Sequence, residues 1–248
     1  MSISNLSVED KQTIIEHLEA LRSSLIIAFI AILFAAIFCF YFSEQILTTV
    51  TLPLRLLNED LIVTGVTEAF FVKLKISFYS GFVLAFPVVV WALWKFVKPA
   101  LYPSERKYVY IFLPLAILLF AVGVIFAYFG ILPLILNFFI FIAGENLETM
   151  FKVDQYVSFV LSFTIPFGLV FELPVVVFFL SKLGIIGYKS MARKRKYALL
   201  AIVVLAAALT PGPDPISQVL MAGPVYLLYE ISIWIAKLAM PRDKRDLQ

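Results

Sequence analysis

Long runs of residues without a charged side chain are the feature that most constrains this sequence. Residues 23–43 form one such run, residues 76–94 a second, and residues 108–144 a third. A charge in hydrocarbon costs several kcal/mol, and about 20 apolar helical residues span the roughly 30 Å core of a bilayer. Each run is therefore long enough to cross a membrane, and we expect an integral membrane protein.

The overall composition agrees with this class. Apolar residues make up 62% of the 248, and charged residues only 15%, against about 45–50% and 25% in soluble domains. A soluble globule could not cover so much apolar surface, and disorder is excluded by the same figures. A net charge of +3 argues against nucleic-acid binding, and one Cys and one His rule out a disulfide framework or a Cys/His metal site.

Charged residues and prolines set the limits of six predicted helices. The run 108–144 is too long for one crossing, so we expect a crossing near 108–132 and, after Pro133, an apolar segment on the far surface. Three prolines in residues 211–215 predict a hairpin between the last two helices, both of them short. The predicted helices cover about 23–43, 70–94, 108–132, 156–180, 198–210 and 217–236, in a single polytopic membrane domain of residues 1–248.

The distribution of Lys and Arg predicts the orientation of these helices. Six crossings place both termini on one side of the membrane. The terminal segments and the even-numbered loops hold 16 of the 20 Lys and Arg residues. By the positive-inside rule, both termini are expected to be cytoplasmic. The outer loop from Glu44 to Ala69 is long enough to fold over the mouth of the bundle.

Known catalytic motifs do not occur in the sequence. It contains no G-x-S-x-G, no H-E-x-x-H and no dinucleotide fingerprint. We therefore expect neither an enzyme nor a cofactor, and no metal site is predicted.

A carboxylate in the loop between the second and third predicted helices is the first candidate site residue. Glu105 is the only acid in this loop, and Pro99 and Pro103 restrict the backbone around it, which would fix its direction. The alternative is a local ion pair with Arg106 or Lys107, which contributes little when exposed.

The amino-terminal stretch is predicted to form an amphipathic helix. Ile14 and Leu18 belong to its apolar face, and Glu16 and Glu19 belong to an acidic face. A solvated surface helix accounts for this pattern, and so does an anionic patch that binds a cationic ligand.

Two further polar positions fall within predicted crossings or beside them. Glu172 lies near the middle of the fourth predicted helix, two residues before Pro174. An intramembrane carboxylate must be neutral, paired or hydrated, so it indicates a functional site, with a polar contact between helices as the alternative. Asp214, Ser217 and Gln218 could form a polar cluster at the outer hairpin, or Asp214 could simply cap the sixth helix.

Seven short segments match one protein family in order and spacing. They are His17–Arg22, Pro99–Tyr102 with Glu105, Phe126–Phe129, Ser158–Val160, Phe171–Pro174, Thr210–Pro211 with Asp214 and Gln218, and Tyr229–Ile231. On these segments the sequence resembles the TatC family, the receptor subunit of the twin-arginine protein translocase. The resemblance implies a concave, glove-like, all-α bundle of six transmembrane helices with both termini in the cytoplasm.

The resemblance also implies a function. TatC-like proteins bind the twin-arginine signal peptides of folded cargo at the cytoplasmic face. They recruit single-span partner subunits of the TatA and TatB kind, and the proton-motive force drives export without nucleotide hydrolysis. The chain would then be a multi-pass protein of the cytoplasmic (inner) membrane, in contact with the lipid bilayer and part of a homo- or hetero-oligomer.

Site residues follow from the same resemblance. Glu105 resembles the carboxylate that receives the paired arginines. Leu21 and Arg22 match the amino-terminal part of that site, and Phe96 matches an aromatic residue before the Pro-Ala-Leu-Tyr loop. An intramembrane polar site for a partner helix is implied at Glu172, Asp214 and Gln218.

The sequence departs from the family pattern in two places. The usual His-Leu-x-Glu-Leu-Arg has Ala20 at its acidic position, so the second carboxylate would come from Glu19, about 100° away, or from Glu16, one turn away. A usual Pro-x-Glu is replaced by Val66–Glu68. Pro53, however, falls where the family has a proline in its first outer loop.

Two other functions compete with the receptor. In a proton-coupled secondary transporter, Glu172 would carry the proton and Pro174 would break a helix at the substrate site. The sequence shows no repeated halves with matching breaks, which argues against this function. A scaffold without a ligand is disfavoured by Glu172 and by the acidic cytoplasmic patch.

Overall fold

The computed structural model describes residues 8–98, 106–144, 150–209 and 215–239, without the side chains of 8–17, 107–109, 143 and 209. These residues are helical apart from connecting turns and one parallel pair of two-residue strands, β1 and β2. The elements are α1 (Val8–Tyr41), α2 (Ser43–Arg55), β1 (Leu61–Ile62), α3 (Glu68–Val97), α4 (Arg106–Ile125), a π-helical segment (Phe126–Ile131), α5 (Leu132–Ala143), β2 (Phe151–Lys152), α6 (Val153–Val170), α7 (Leu173–Lys182), α8 (Tyr188–Arg193), α9 (Arg195–Leu209) and α10 (Pro215–Ala239).

Five stretches of the described chain are long and apolar enough to cross a bilayer. They are Leu18–Tyr41, Glu68–Val97, Tyr110–Ile142, Val153–Lys182 and Pro215–Ala239. The predicted class, an all-helical membrane protein, is therefore confirmed. Helix α9 has 15 residues and is about 22 Å long, shorter than the hydrocarbon core, as the sequence predicts for the fifth helix.

Helix α10 is longer than predicted. The sequence limits the sixth helix to 217–236 and calls for a short one, because Glu230 interrupts its apolar run. The structure has 25 residues in this helix, enough to span the core, so the prediction of a short sixth helix is wrong. The helix continues past Glu230 because the Arg195 guanidinium donates two hydrogen bonds, of 2.7 and 2.9 Å, to the Glu230 carboxylate and neutralises its charge.

Pro133 does not end the third predicted helix. Helix α4 leads into the π-helical segment Phe126–Ile131, and α5 follows directly from Leu132 to Ala143. Pro133 lies in the first turn of α5, where a proline fits best, and the wider hydrogen-bonding of the π segment precedes it. The expected surface segment after Pro133 is therefore a helical continuation of the crossing.

The fourth predicted helix, in contrast, is interrupted. Helix α6 ends at Val170, and α7 begins at Leu173 with Pro174 in its first turn. Two backbone hydrogen bonds close the end of α6, from Phe171 to Phe167 and from Glu172 to Leu169. The sequence therefore places a break at Glu172, because Pro174 has no N–H with which to continue the hydrogen-bond ladder.

Chain contacts define two compact units. Unit 1 comprises Met1–Ser43 with Ser77–Ile117, and unit 2 comprises Glu44–Ile76 with Leu118–Gln248. In unit 1, a Cβ on Gly81 would lie 2.5 Å from the backbone nitrogen of Ala36, so α1 and α3 approach very closely there. Unit 2 has buried apolar clusters, one around Leu54 and Val157 and another around Phe167. The single polytopic domain remains a prediction.

Candidate functional site

The close approach of α1 and α3 fixes which of their residues share one end of unit 1. Leu21 lies 15 residues before Ala36 in α1, and Phe96 lies 15 residues after Gly81 in α3. At 1.5 Å per residue, each is about 22 Å from the point of closest approach. Consecutive membrane crossings run in opposite directions. Leu21 and Phe96 therefore belong to the same end of unit 1.

The side chains described at this end include one exposed acidic residue and one exposed basic residue. Glu19 and Arg22 are exposed, and Leu21 and Phe96 are half-buried. None of the ion pairs among the described residues involves Glu19 or Arg22. Among the described residues, this end of unit 1 therefore offers an exposed carboxylate, outside the described ion pairs, beside apolar side chains.

The other two predicted acids of this site are not described. Glu16 belongs to the backbone of α1, but its side chain is not described. Glu105 lies outside the described residues. Two described residues near the ends of its loop, Lys98 and Tyr110, are in contact: the Lys98 ammonium donates a hydrogen bond of 3.1 Å to the Tyr110 hydroxyl. This contact joins the end of α3 to the first turns of α4.

Glu172 lies at the break between α6 and α7. Its side chain is half-buried, and its Oε1 atom is buried without a hydrogen bond to the described residues. Helix α4 packs closely on α6 nearby, because a Cβ on Gly123 would lie 2.8 Å from the Phe167 carbonyl oxygen. The structure therefore places a carboxylate with spare acceptor capacity at a helix break within a membrane-crossing stretch, where a donor from another helix or a proton could satisfy it.

Gln218, another intramembrane candidate, has a hydrogen-bond partner of its own among the described residues. The Gln218 amide donates a hydrogen bond of 3.0 Å to the Val203 carbonyl and so links α10 to α9. Asp214 lies outside the described residues. Gln218 therefore has a structural partner already, and a role toward a partner helix remains a prediction.

Sequence reasoning missed a polar network at the start of α3 and α6. The Glu68 carboxylate accepts hydrogen bonds from the backbone N–H groups of Thr64, Gly65 and Asp154 at 2.6, 2.9 and 3.2 Å. The Lys75 ammonium in turn pairs with Asp154 at 2.5 Å. Glu68 thus caps α6 from α3, and Lys75 of α3 holds an acid of α6. No sequence signal connects residues about 80 positions apart.

A second missed contact joins α9 to α10. The Arg195 guanidinium donates two hydrogen bonds to the Glu230 carboxylate, and the Tyr226 hydroxyl donates a third of 3.0 Å. The basic run that contains Arg195 gives a topology signal, but nothing in it shows that one member has a carboxylate partner.

These features define the class of protein. The chain has several membrane-crossing helices, a carboxylate at a helix break in one of them, and, among the described residues, no cluster of side chains that could hold a metal ion. It is a multi-pass α-helical membrane protein.

Comparison with known proteins identifies the family. The model of the TatC family, "Sec-independent protein translocase protein (TatC)", matches residues 16–224. The TatC protein of Carboxydothermus hydrogenoformans is 46% identical over 95% of this chain and 98% of its own length. The TatC protein of Escherichia coli is 36% identical over 96% of this chain and 93% of its own length. The chain belongs to the TatC family of Sec-independent protein translocase proteins.

A solved structure supports the same assignment. The chain is similar to the protein in "Crystal Structure of Twin Arginine Translocase Receptor- TatC", with a TM-score of 0.84 and 40% identity, over 90% of this chain and 99% of that one. The resemblance found in the sequence is confirmed. The chain is a translocase component in Sec-independent protein transport, and its family is not one of enzymes.

Proposed function

We propose that this chain is the receptor for twin-arginine signal peptides and the core of a translocase that exports folded proteins with the proton-motive force. The observation that carries the proposal is the exposed Glu19, which lies outside the described ion pairs at the same end of unit 1 as Phe96. Phe96 lies three residues before the segment 99–105 that contains Glu105. The solved relative with 40% identity is described as a twin-arginine translocase receptor, which supports the same function.

The chemistry of recognition follows from the shape of the arginine side chain. A guanidinium group is planar and donates two parallel hydrogen bonds to one carboxylate, and a lysine ammonium cannot reproduce this geometry. We assign Glu105 to one arginine of the signal peptide and Glu19 or Glu16 to the other. Leu21 and Phe96 would contact apolar residues of the peptide, and Arg22 would orient the neighbouring carboxylate.

The proposed orientation places this site where cargo is presented. With 16 of 20 Lys and Arg residues on the side of the termini, both termini and the Glu105 loop are cytoplasmic under the positive-inside rule. We propose six crossings in a concave, glove-like bundle within the cytoplasmic membrane, with α9 as the fifth.

A second site is proposed within the membrane for single-span partner subunits of the TatA and TatB kind. Its residues are Glu172, Asp214 and Gln218. The buried Glu172 Oε1 has no hydrogen-bond donor among the described residues, so a polar side chain of a partner helix could supply one. Helix α9 is shorter than the core, which favours local thinning of the bilayer. Cross-linking with cargo present should place a partner near Glu172 or α9, and its absence would contradict this site.

Peptide titration tests the receptor proposal directly. The purified protein in lipid nanodiscs is titrated with a twin-arginine peptide and with its twin-lysine version. We expect Glu105→Gln to weaken twin-arginine binding about tenfold, the loss of roughly one charge-assisted hydrogen bond, and Glu19→Gln to weaken it less. Both variants should still insert into the membrane.

The control neutralises an acid elsewhere. Asp60 is exposed in the loop that precedes α3, and Asp60→Asn should leave both titrations unchanged. Equal affinity of the wild-type protein for the two peptides, or unchanged binding by Glu105→Gln, would contradict the electrostatic account.

A proton-coupled secondary transporter is the second candidate, because Glu172 combines a buried, unsatisfied oxygen with a helix break at Pro174. Uptake of small solutes into vesicles under a pH gradient separates the two functions. Uptake that Glu172→Gln abolishes would support the transporter, and no uptake in wild-type vesicles would remove it.

A further inference from the structure

Helix α2 contains a proline that leaves one backbone carbonyl without its helical donor. In an α-helix, the N–H of each residue donates to the carbonyl four residues earlier. Pro53 lies inside α2 and has no N–H. The carbonyl that it would have satisfied is that of Thr49. This carbonyl therefore needs a donor from outside the helix backbone.

A tyrosine hydroxyl supplies that donor. The Tyr128 hydroxyl, from the π-helical segment, donates a hydrogen bond to the Thr49 carbonyl. The Tyr156 hydroxyl, from the first turn of α6, donates one of 3.0 Å to the next carbonyl, that of Val50. Two phenols from separate parts of unit 2 therefore hold adjacent carbonyls of α2. We call Pro53, Tyr128 and Tyr156 the α2 clamp.

Packing fixes the same face of α2. Leu54 is completely buried and Pro53 is buried, while Leu52 and Arg55 on other sides of the helix are exposed. Tyr156 is itself 4% exposed and belongs to the apolar cluster around Leu54. The two hydroxyls thus determine the register of a helix whose apolar face already lies against the core of unit 2.

The location of Tyr128 indicates a role beyond general stability. It lies in a π-helical segment, a rare conformation that is frequently found at functional sites. The clamp also joins the predicted outer loop to the long stretch Tyr110–Ile142 and to the stretch that carries Glu172. A shift of α2 would therefore change its hydrogen bonds to two membrane-crossing stretches.

We propose that the α2 clamp is a positioning element for translocation: Pro53 exposes the Thr49 carbonyl so that Tyr128, together with Tyr156, holds α2 in the one register that permits cargo to be exported. The proposal goes beyond the receptor site, because every clamp residue belongs to unit 2 and the receptor residues belong to unit 1.

The test is a double-mutant cycle. Tyr128→Phe removes only the hydroxyl, and Pro53→Ala returns an N–H that competes for the Thr49 carbonyl. Two quantities are measured: export of a twin-arginine cargo from cells, normalised to the amount of membrane-inserted protein, and cleavage of the purified protein at Arg55 by an arginine-specific protease. Arg55 is exposed at the end of α2, so faster cleavage reports a loosened helix.

We expect Tyr128→Phe to lower export several-fold and to accelerate cleavage at Arg55, and Pro53→Ala to do both to a smaller extent. The double variant should be no worse than Tyr128→Phe alone, because both changes break the same contact. The proposal would be overturned if the losses of export from the two single variants multiplied in the double variant. It would also be overturned if Tyr128→Phe exported cargo and was cleaved at Arg55 at the wild-type rates.

A matched control separates positioning from stability. The Ser232 hydroxyl donates to the Leu228 carbonyl within α10, so Ser232→Ala removes a hydroxyl-to-carbonyl bond of unit 2 that does not involve α2. It should leave cleavage at Arg55 and normalised export unchanged, and equal losses from Ser232→Ala would overturn the proposal. Tyr128→Phe should also bind the twin-arginine peptide like the wild type, and loss of that binding would overturn it too. Failure of the receptor proposal, in contrast, would leave the cleavage result intact.

Discussion

The two units of the chain use their charged side chains in different ways. In unit 2, ion pairs join elements that are far apart in sequence: Lys73 with Glu44, Lys75 with Asp154 and Arg195 with Glu230. In the described part of unit 1, Glu19 and Arg22 lie exposed outside any such pair. Two lysines of that unit with described side chains, Lys95 and Lys98, lie over the rings of Trp91 and Tyr110.

This difference separates charges that are available to bind a ligand from charges that hold helices together. A charge that already has a partner would have to give it up to bind a ligand, whereas an exposed, unpaired charge is available. Among the described residues, unit 2 therefore uses several of its charges to hold helices together, whereas Glu19 of unit 1 lies outside these ion pairs. Unit 1 is held instead by close apolar packing, with Gly81 against Ala36.

The largest expected effect comes from breaking that packing. In Gly81→Ala, the new Cβ would lie 2.5 Å from the backbone nitrogen of Ala36 and 2.6 Å from its Cα. A backbone cannot move aside as a flexible side chain can, so we expect a loss of about 1–3 kcal/mol of stability, typical of overpacking. Thermal unfolding in detergent and the amount of inserted protein measure it.

The control for this variant is a glycine of unit 2 with open space around it. A Cβ on Gly223 would meet nothing within 4 Å. Gly223→Ala should be neutral or stabilise α10 by up to about 1 kcal/mol, because alanine restricts the unfolded chain more than glycine does. A wild-type unfolding temperature for Gly81→Ala would show that unit 1 is not held by this contact.

A smaller effect is expected from the charges of unit 2. Arg195→Lys keeps the charge but loses the two-pronged contact with Glu230, since an ammonium cannot form it. We expect a lower unfolding temperature and unchanged binding of a twin-arginine peptide. Arg193→Lys, two residues away at an exposed position, is the matched control and should change neither. Weaker peptide binding by Arg195→Lys would erase the division between the two units.

The membrane-crossing stretches were predictable because the cost of burying charge acts locally along the chain. Their ends were not, since these depend on distant partners: Glu230 ends an uncharged run but not α10, because Arg195 neutralises it. Two prolines show the same limit. Pro133 and Pro174 both begin a helix, yet a π-helical segment precedes the first and a break at Glu172 the second.

The candidate site shows a similar division. Local patterns and a family resemblance propose Glu19, Leu21, Arg22 and Phe96, and their role in binding stays a prediction. The donor that fills the Thr49 carbonyl could not be found in this way, because Tyr128 is 79 residues away and many hydroxyls in the sequence could serve. Pro53 was the one available signal, since a proline within a helix always leaves a carbonyl that needs a donor.

The smallest expected effect concerns the exposed pair at the start of α2. The Lys73 ammonium donates a hydrogen bond of 2.9 Å to the Glu44 carboxylate. This bond and the electrostatic attraction between the two charges hold the pKa of Glu44 below its ordinary 4.5. A lowered pKa in the folded state means that the pair stabilises the protein above pH 4.5 and ceases to do so as the pH falls through the lowered value.

Glu44→Gln should therefore lower the unfolding temperature slightly at pH 7, and the difference from wild type should shrink as the pH is lowered toward 3. Because Glu44 is exposed, the difference should also shrink in 1 M salt, which screens such a pair. Asp60→Asn, at an exposed acid outside the described ion pairs, should show no such dependence. If the difference in unfolding temperature between Glu44→Gln and the wild type stayed constant across this range of pH, Glu44 would act through packing rather than charge. The start of α2 would then be stabilised by packing, as the helices of unit 1 are.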